Sequence, residues 1–160
     1  MDVMRKRWIA ALSLVAYSVI LIKLVVFKTG SLVETRHLRI RFTDHSTGQA
    51  NYMPFRTIWP YLHGQPRWLI AMVNLVGNIA PFVPIGFLVP LVYRTMTWRR
   101  SLVLAVAVGL AMEGSEVVFR VGIFDIDDVI LNAFGVMIGY WIFAVFERRS
   151  RLHAPLPASS

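Results

Sequence analysis

The sequence predicts an all-α integral membrane protein, a bundle of four transmembrane helices with both termini cytoplasmic. Two observations carry this prediction: the apolar residues come in long blocks, and the basic residues collect at the ends of those blocks. Hydrophobic residues make up 56% of the 160 positions and charged residues only 16%, too few charges to cover a soluble domain of this size. A mean hydropathy of +0.57 points the same way. A bilayer-spanning helix takes roughly 20 mainly apolar residues. Four stretches approach or meet that length, at about 8–27, 69–93, 101–119 and 129–146.

The first block follows MRKRW, as a signal peptide would. It is longer than a usual signal core and no A-x-A-like cleavage site follows it, so it reads as an uncleaved helix. Arg5, Lys6 and Arg7 precede it; Arg94, Arg99 and Arg100 fill the short turn between the second and third blocks; Arg148, Arg149 and Arg151 follow the fourth. These short basic segments share one side, which the positive-inside rule makes cytoplasmic. Residues 28–68 then form a long outer loop, and a connection of that length often carries function. Its stretch NYMPFRTIWPYL is aromatic and amphipathic, and suits the membrane interface. The membrane domain covers residues 1–147. Residues 148–160 are a basic, then Pro- and Ser-rich tail expected to be disordered.

The net charge of +8 follows from these loop charges, and no nucleic-acid-binding motif accompanies it. The absence of cysteine removes disulfides, thiol nucleophiles and Cys-ligated metals.

Ionised groups cost at least ~2.5–3.5 kcal/mol each near the bilayer centre, so the polar residues inside the blocks need an account. The second block carries Asn74, Asn78, Phe82, Gly86 and Pro90, each four apart, a stripe along one side of a helix. Pro81 and Pro84 should kink it. Gly86 and the prolines read as packing features. For the two asparagines, interhelical glue and a ligand site are both open. The third block sets Gly109, Glu113, Glu116 and Arg120 on one face. A Glu116–Arg120 ion pair would explain one carboxylate and leave Glu113 a turn deeper. The fourth begins FDIDDVILNAFGVMIGY, where Asp128, Asn132, Gly135 and Gly139 share a face. Gly135 and Gly139 form a GxxxG packing motif. Asp125 and Asp127 suit a helix N-cap, but one cap needs one Asp and the segment supplies three in four residues.

On this topology the stripes of the second, third and fourth helices meet in the outer half of the bundle. The candidate ligand-binding residues are Asn74, Asn78, Glu113, Asp125, Asp127, Asp128 and Asn132, with Arg39 from the outer loop. No catalytic residue or metal ligand is assigned.

The segments NYMPF, NLVGNIAPFVPIGFLVP and E-x-x-E followed by FDIDDVILNAFG-x-x-IGY resemble the motifs of VanZ-like proteins over roughly residues 51–140. By motif position, Asn74, Asn78, Phe82, Pro84, Gly86, Glu113, Asp125, Asp127, Asp128, Asn132 and Gly135 match. Glu116 departs, standing where the family usually has Gln, and adds a negative charge. The resemblance implies a multi-pass protein of the plasma membrane and cell envelope, and a link to glycopeptide (teicoplanin) resistance that most members have not been shown to share.

Four functions compete. The first is a non-enzymatic protein that binds a lipid-linked envelope precursor, a glycopeptide or another amphiphile at the outer leaflet. Arg36, Arg39, Arg41 and Arg56 would meet phosphates, and Tyr52, Phe55 and Trp59 would anchor in the interface. The second is an intramembrane enzyme acting on a lipid phosphate, with a divalent cation held by the carboxylates; no other cofactor is expected. The third is a transport component, which at this size needs an oligomer. The fourth is a scaffold whose polar network only fixes helix order. Membrane lipids are the expected partners in each case, and nucleic acid is not.

Overall fold

The computed structural model describes residues 3–26, 34–35, 38–39, 50–120 and 122–152, with side chains over 4–23, 50–120 and 122–150. Among the described residues, helices dominate, joined by turns, with one pair of two-residue strands and one isolated β-bridge. Helix α1 spans Val3–Val26; strands β1 (Glu34–Thr35) and β2 (Leu38–Arg39) pair antiparallel; α2 is a short turn at Ile58–Leu62. Helix α3 (Trp68–Ile79) runs through a 3-10 turn at Ala80–Phe82 into α4 (Val83–Val92). Helices α5 (Trp98–Val118) and α6 (Ile126–Leu152) complete the bundle.

The 3-10 turn lies where the prolines predicted a bend. Pro84 has no N–H to give the carbonyl of Ala80, and the i→i−4 ladder breaks there. The Tyr17 hydroxyl of α1 donates to the carbonyl of Pro81 at 2.7 Å, tying α1 to the break. Thr97 caps α5, its side chain accepting from the backbone N–H of Arg100.

The distribution of residues is that of a protein in lipid. On α5, the inward face is Ser101, Ala105, Gly109, Met112 and Glu113, whereas Leu102, Val103, Val106 and Leu110 are exposed. Asn51, Asn74, Asp125, Asp127, Asp128 and Asn132 are also buried. Large apolar side chains over the outside, with polar ones buried beneath them, make a broad hydrophobic surface, which water would not tolerate over such an area. Among the described residues, three helices are long and apolar enough to cross a membrane: Trp68–Val92, Trp98–Val118 and Ile126–Ser150.

Of the four expected spans, the second, third and fourth blocks are among these three, and α1 is not. Cations border the apolar run of α1 on both sides, Arg5, Lys6 and Arg7 at its start and Lys23 near its end, and the described side chains stop at Lys23. The fourth block is longer than expected, because α6 continues through Arg148 and Arg149 to Leu152 and so takes in the start of the basic tail. Residues 153–160 lie outside the described residues. The third block is shorter at its end: α5 stops at Val118, and Arg120 takes a φ of 57°. Arg120 is therefore past the helix and off the face of Glu113 and Glu116.

Helix α6 is the centre of the bundle and packs against α5, α4 and α3, while α1 packs mainly on α4. Its contact with α3–α4 is made backbone to backbone. A Cβ on Gly86 would strike the carbonyl of Val136, one on Gly135 the carbonyl of Ile79, and one on Gly139 the carbonyl of Val83. Leu21, Phe82, Ile85, Val89, Ala105, Met112 and Val136 form the core around this contact. Gly139→Leu should separate the helices and cost on the order of 3 kcal/mol or more. Gly114→Ala, where an added Cβ meets nothing within 4 Å, should be neutral or stabilise by up to about 1 kcal/mol. Thermal melts of the two variants in one detergent test the contrast.

Candidate functional site

The segment Phe124–Asp128 turns the chain from the end of α5 into α6 and supplies three carboxylates, each with its own task. Asp125 directly precedes α6 and is its N-cap: its Oδ1 accepts from the backbone N–H of Asp127 at 2.8 Å. The same carboxylate binds the loop before α2. Oδ1 also accepts from Asn51 Nδ2 at 2.8 Å, and Oδ2 accepts from the Thr57 hydroxyl at 3.0 Å. Asn51 and Asp125 form a parallel bridge, with Asn51 N–H donating to Phe124 O and Ile126 N–H donating to Asn51 O, both at 2.9 Å.

Asp127 grips the backbone of that loop. Its Oδ1 accepts from Phe55 N–H at 2.5 Å, and its Oδ2 from Thr57 and Ile58 N–H at 2.6 and 3.2 Å. Asp127 is 0% exposed, and three converging amides are what a buried carboxylate needs in place of water. Phe55 holds a φ of 67°, a left-handed conformation that costs roughly 1–2 kcal/mol for a non-glycine residue. A hydrogen bond to a charged group contributes about 1.5–3 kcal/mol, enough to hold it there.

Asp128 accepts from Asn78 Nδ2 at 2.5 Å, joining α6 to α3. Glu113, 3% exposed on α5, accepts from the backbone N–H of Asp125 at 3.0 Å and joins α5 to the same turn. Burial, and then the nearby Asp128 and Asp125 carboxylates, push the Tyr61 phenol above its ordinary value. Tyr61 thus borders the acids from α2.

Of the predicted residues, the structure gathers five in one knot at the α5–α6 turn: Glu113, Asp125 and Asp127 are linked by hydrogen bonds, and Asn78 bonds the adjoining Asp128. Asn132 is buried one turn further along α6, and Asn74 is buried but donates to the Ile70 carbonyl of its own helix at 2.9 Å. Among the described residues, no hydrogen bond ties either to the knot. Arg39 pairs through its backbone with Glu34 in the short strands, and its side chain lies outside the described residues. Arg36 and Arg41 lie outside them altogether, and Arg56, Lys23 and Arg120 are exposed. No group of three His or acidic side chains among the described residues is arranged to hold a metal.

Sequence reasoning missed Asn51 and Thr57. The signal was present: Asn51 opens the NYMPF motif with an amide able to bond a carboxylate. The aromatic residues of this loop and of α2 are on the surface, with Tyr52 73%, Phe55 58% and Trp59 64% exposed. Tyr52 stacks on Phe124 at 5.5 Å. The knot therefore fastens an aromatic cap to the end of the bundle.

A helical bundle with three membrane-length apolar helices and a buried polar cluster defines a multi-pass membrane protein. The chain belongs to the VanZ/LLP1 family, whose model matches residues 14–147. No curated protein and no solved structure matches the chain.

Asp127→Asn keeps the shape but replaces an acceptor oxygen with an amide that faces N–H donors. It should destabilise the protein by roughly 3 kcal/mol and release residues 51–58 to protease, as limited proteolysis read by mass spectrometry would show. Arg56→Gln, an exposed change in the same loop, should leave cleavage unchanged.

Proposed function

We propose that this VanZ/LLP1-family protein binds a lipid-linked or other amphiphilic ligand at the outer leaflet of the plasma membrane. The observation that carries the reading is the buried Asp125–Asp127 clamp beneath an exposed aromatic loop. A rigid cap that presents Tyr52, Phe55 and Trp59 to the membrane interface meets a ligand's apolar part with little ordering cost. Arg56, and Arg39 from the same outer segment, supply charge for a phosphate or carboxylate. In this reading α1 is the fourth span, both termini are cytoplasmic, and the knot faces outward. Envelope precursors that carry a lipid diphosphate fit this chemistry, and so do glycopeptides of the teicoplanin type with their acyl chain. Binding of either kind is the route by which the protein would contribute to resistance.

Two measurements test it. Reporter fusions at the N- and C-termini should both report the cytoplasm. Purified protein in nanodiscs should retain a lipid II-like ligand or teicoplanin, and Trp59→Ala and Arg39→Ala should each weaken retention by roughly 5- to 30-fold. Retention equal to that of empty nanodiscs, or unchanged in both variants, would rule the reading out.

A further inference from the structure

The other end of the bundle, some 35 Å away along α6 at 1.5 Å per residue, holds a cleft of about 300 Å³ that the proposed function does not use. Helix α4 lines it with Phe87 and Leu91, one turn apart, and Arg94 joins them from just past the helix end. Helix α6 lines it with Phe143, Phe146 and Ser150, again on one face. Lys6 and Arg7 close it from the start of α1, and Glu147 is its one carboxylate.

The cleft is graded in polarity. Phe87 and Phe143 meet edge to face at 6.3 Å and form the deep wall. Ser150 lies seven residues beyond Phe143 along α6, about 10 Å nearer the bundle's end, and Arg94 lies two residues past the end of α4. Three exposed cations at the rim against one carboxylate leave a local excess of positive charge. Basic residues at helix ends are common for orientation alone and suit helix C-termini. Neither reason requires them to surround a concavity with aromatic walls. A cationic mouth over an apolar throat matches a negatively charged headgroup followed by acyl chains. The volume takes a headgroup and the first methylenes, and leaves the rest of each chain in the bilayer.

We propose that this cleft is a headgroup site for an anionic phospholipid, with Lys6, Arg7 and Arg94 on the phosphate and Phe87 and Phe143 against the proximal chain. It shares no residue with the outer knot, so either reading can fail alone.

The test uses the full chain in nanodiscs of an equimolar mixture of phosphatidylcholine and phosphatidylglycerol. Lipid retained after extraction is counted by native mass spectrometry. Phosphatidylglycerol should be retained in preference, and the triple variant Lys6→Gln/Arg7→Gln/Arg94→Gln should lose that preference by at least about tenfold. Arg5→Gln/Arg99→Gln/Arg148→Gln removes the same charge at the same end outside the cleft, and should change it less than about twofold. Phe143→Ala should weaken retention with all charges in place. Equal losses in the two triple variants would overturn the proposal in favour of diffuse surface charge. So would equal retention of the two lipids. Thermal stabilisation by inorganic phosphate matching that by phosphatidylglycerol would assign the cations to a free anion and overturn it too.

Discussion

The backbones of α3–α4 and α6 touch because Gly86, Gly135 and Gly139 have no side chains to keep them apart. Lipid is as apolar as leucine, so helices in a membrane gain little from burying apolar side chains against one another. Close approach and the dispersion contacts it permits must hold them instead. The remaining geometry hangs on this contact. On one side of it Asn78 comes within hydrogen-bond reach of Asp128; on the other, Phe87 meets Phe143. Both the polar knot and the graded cleft are therefore consequences of three absent side chains.

The knot solves an electrostatic problem that the chain poses for itself. Three acids within four residues repel, and withdrawing a carboxylate from water costs several kcal/mol even after relaxation. The structure divides them: Asp125 caps α6 and holds Asn51 and Thr57, Asp127 receives three loop amides, and Asp128 receives Asn78. At about 1.5–3 kcal/mol for each bond to a charged group, three amides offset the burial of Asp127, where one would not. The positive end of α6 adds to this. Glu113 meets the backbone of the same turn from α5, so the two long helices and the α2 loop are joined at one point.

The two ends of the bundle differ in what they offer a ligand. At the knot, the polar groups are buried and mutually bonded, and the surface above them is aromatic. At the cleft, the cations are exposed and the aromatic groups lie deeper. The first arrangement presents a stiff apolar platform; the second presents charge around an opening. The two ends of the bundle therefore present different chemistry.

Much of this was legible in the residues. Block length and apolar content indicated membrane helices, Pro81 and Pro84 the broken ladder, Gly135 and Gly139 a packed seam, and Asp125 or Asp127 a cap, because each depends on neighbours in sequence or on helical period. The motifs also pointed to the family. Tertiary structure alone decided which carboxylate serves which partner. Asn51 and Asp125 are 74 positions apart, and Asp127 is 70 from Thr57; no periodicity links residues across such separations. It also decided that Asn74 turns to its own helix and that Arg120 leaves the face of Glu113. The sequence by itself determined that the chain is helical, apolar and acidic at one turn, since those are properties of composition and spacing. Only the fold decided that the acids bind backbone amides and that two distant helix faces enclose a cleft, since both require segments to meet that the chain holds far apart.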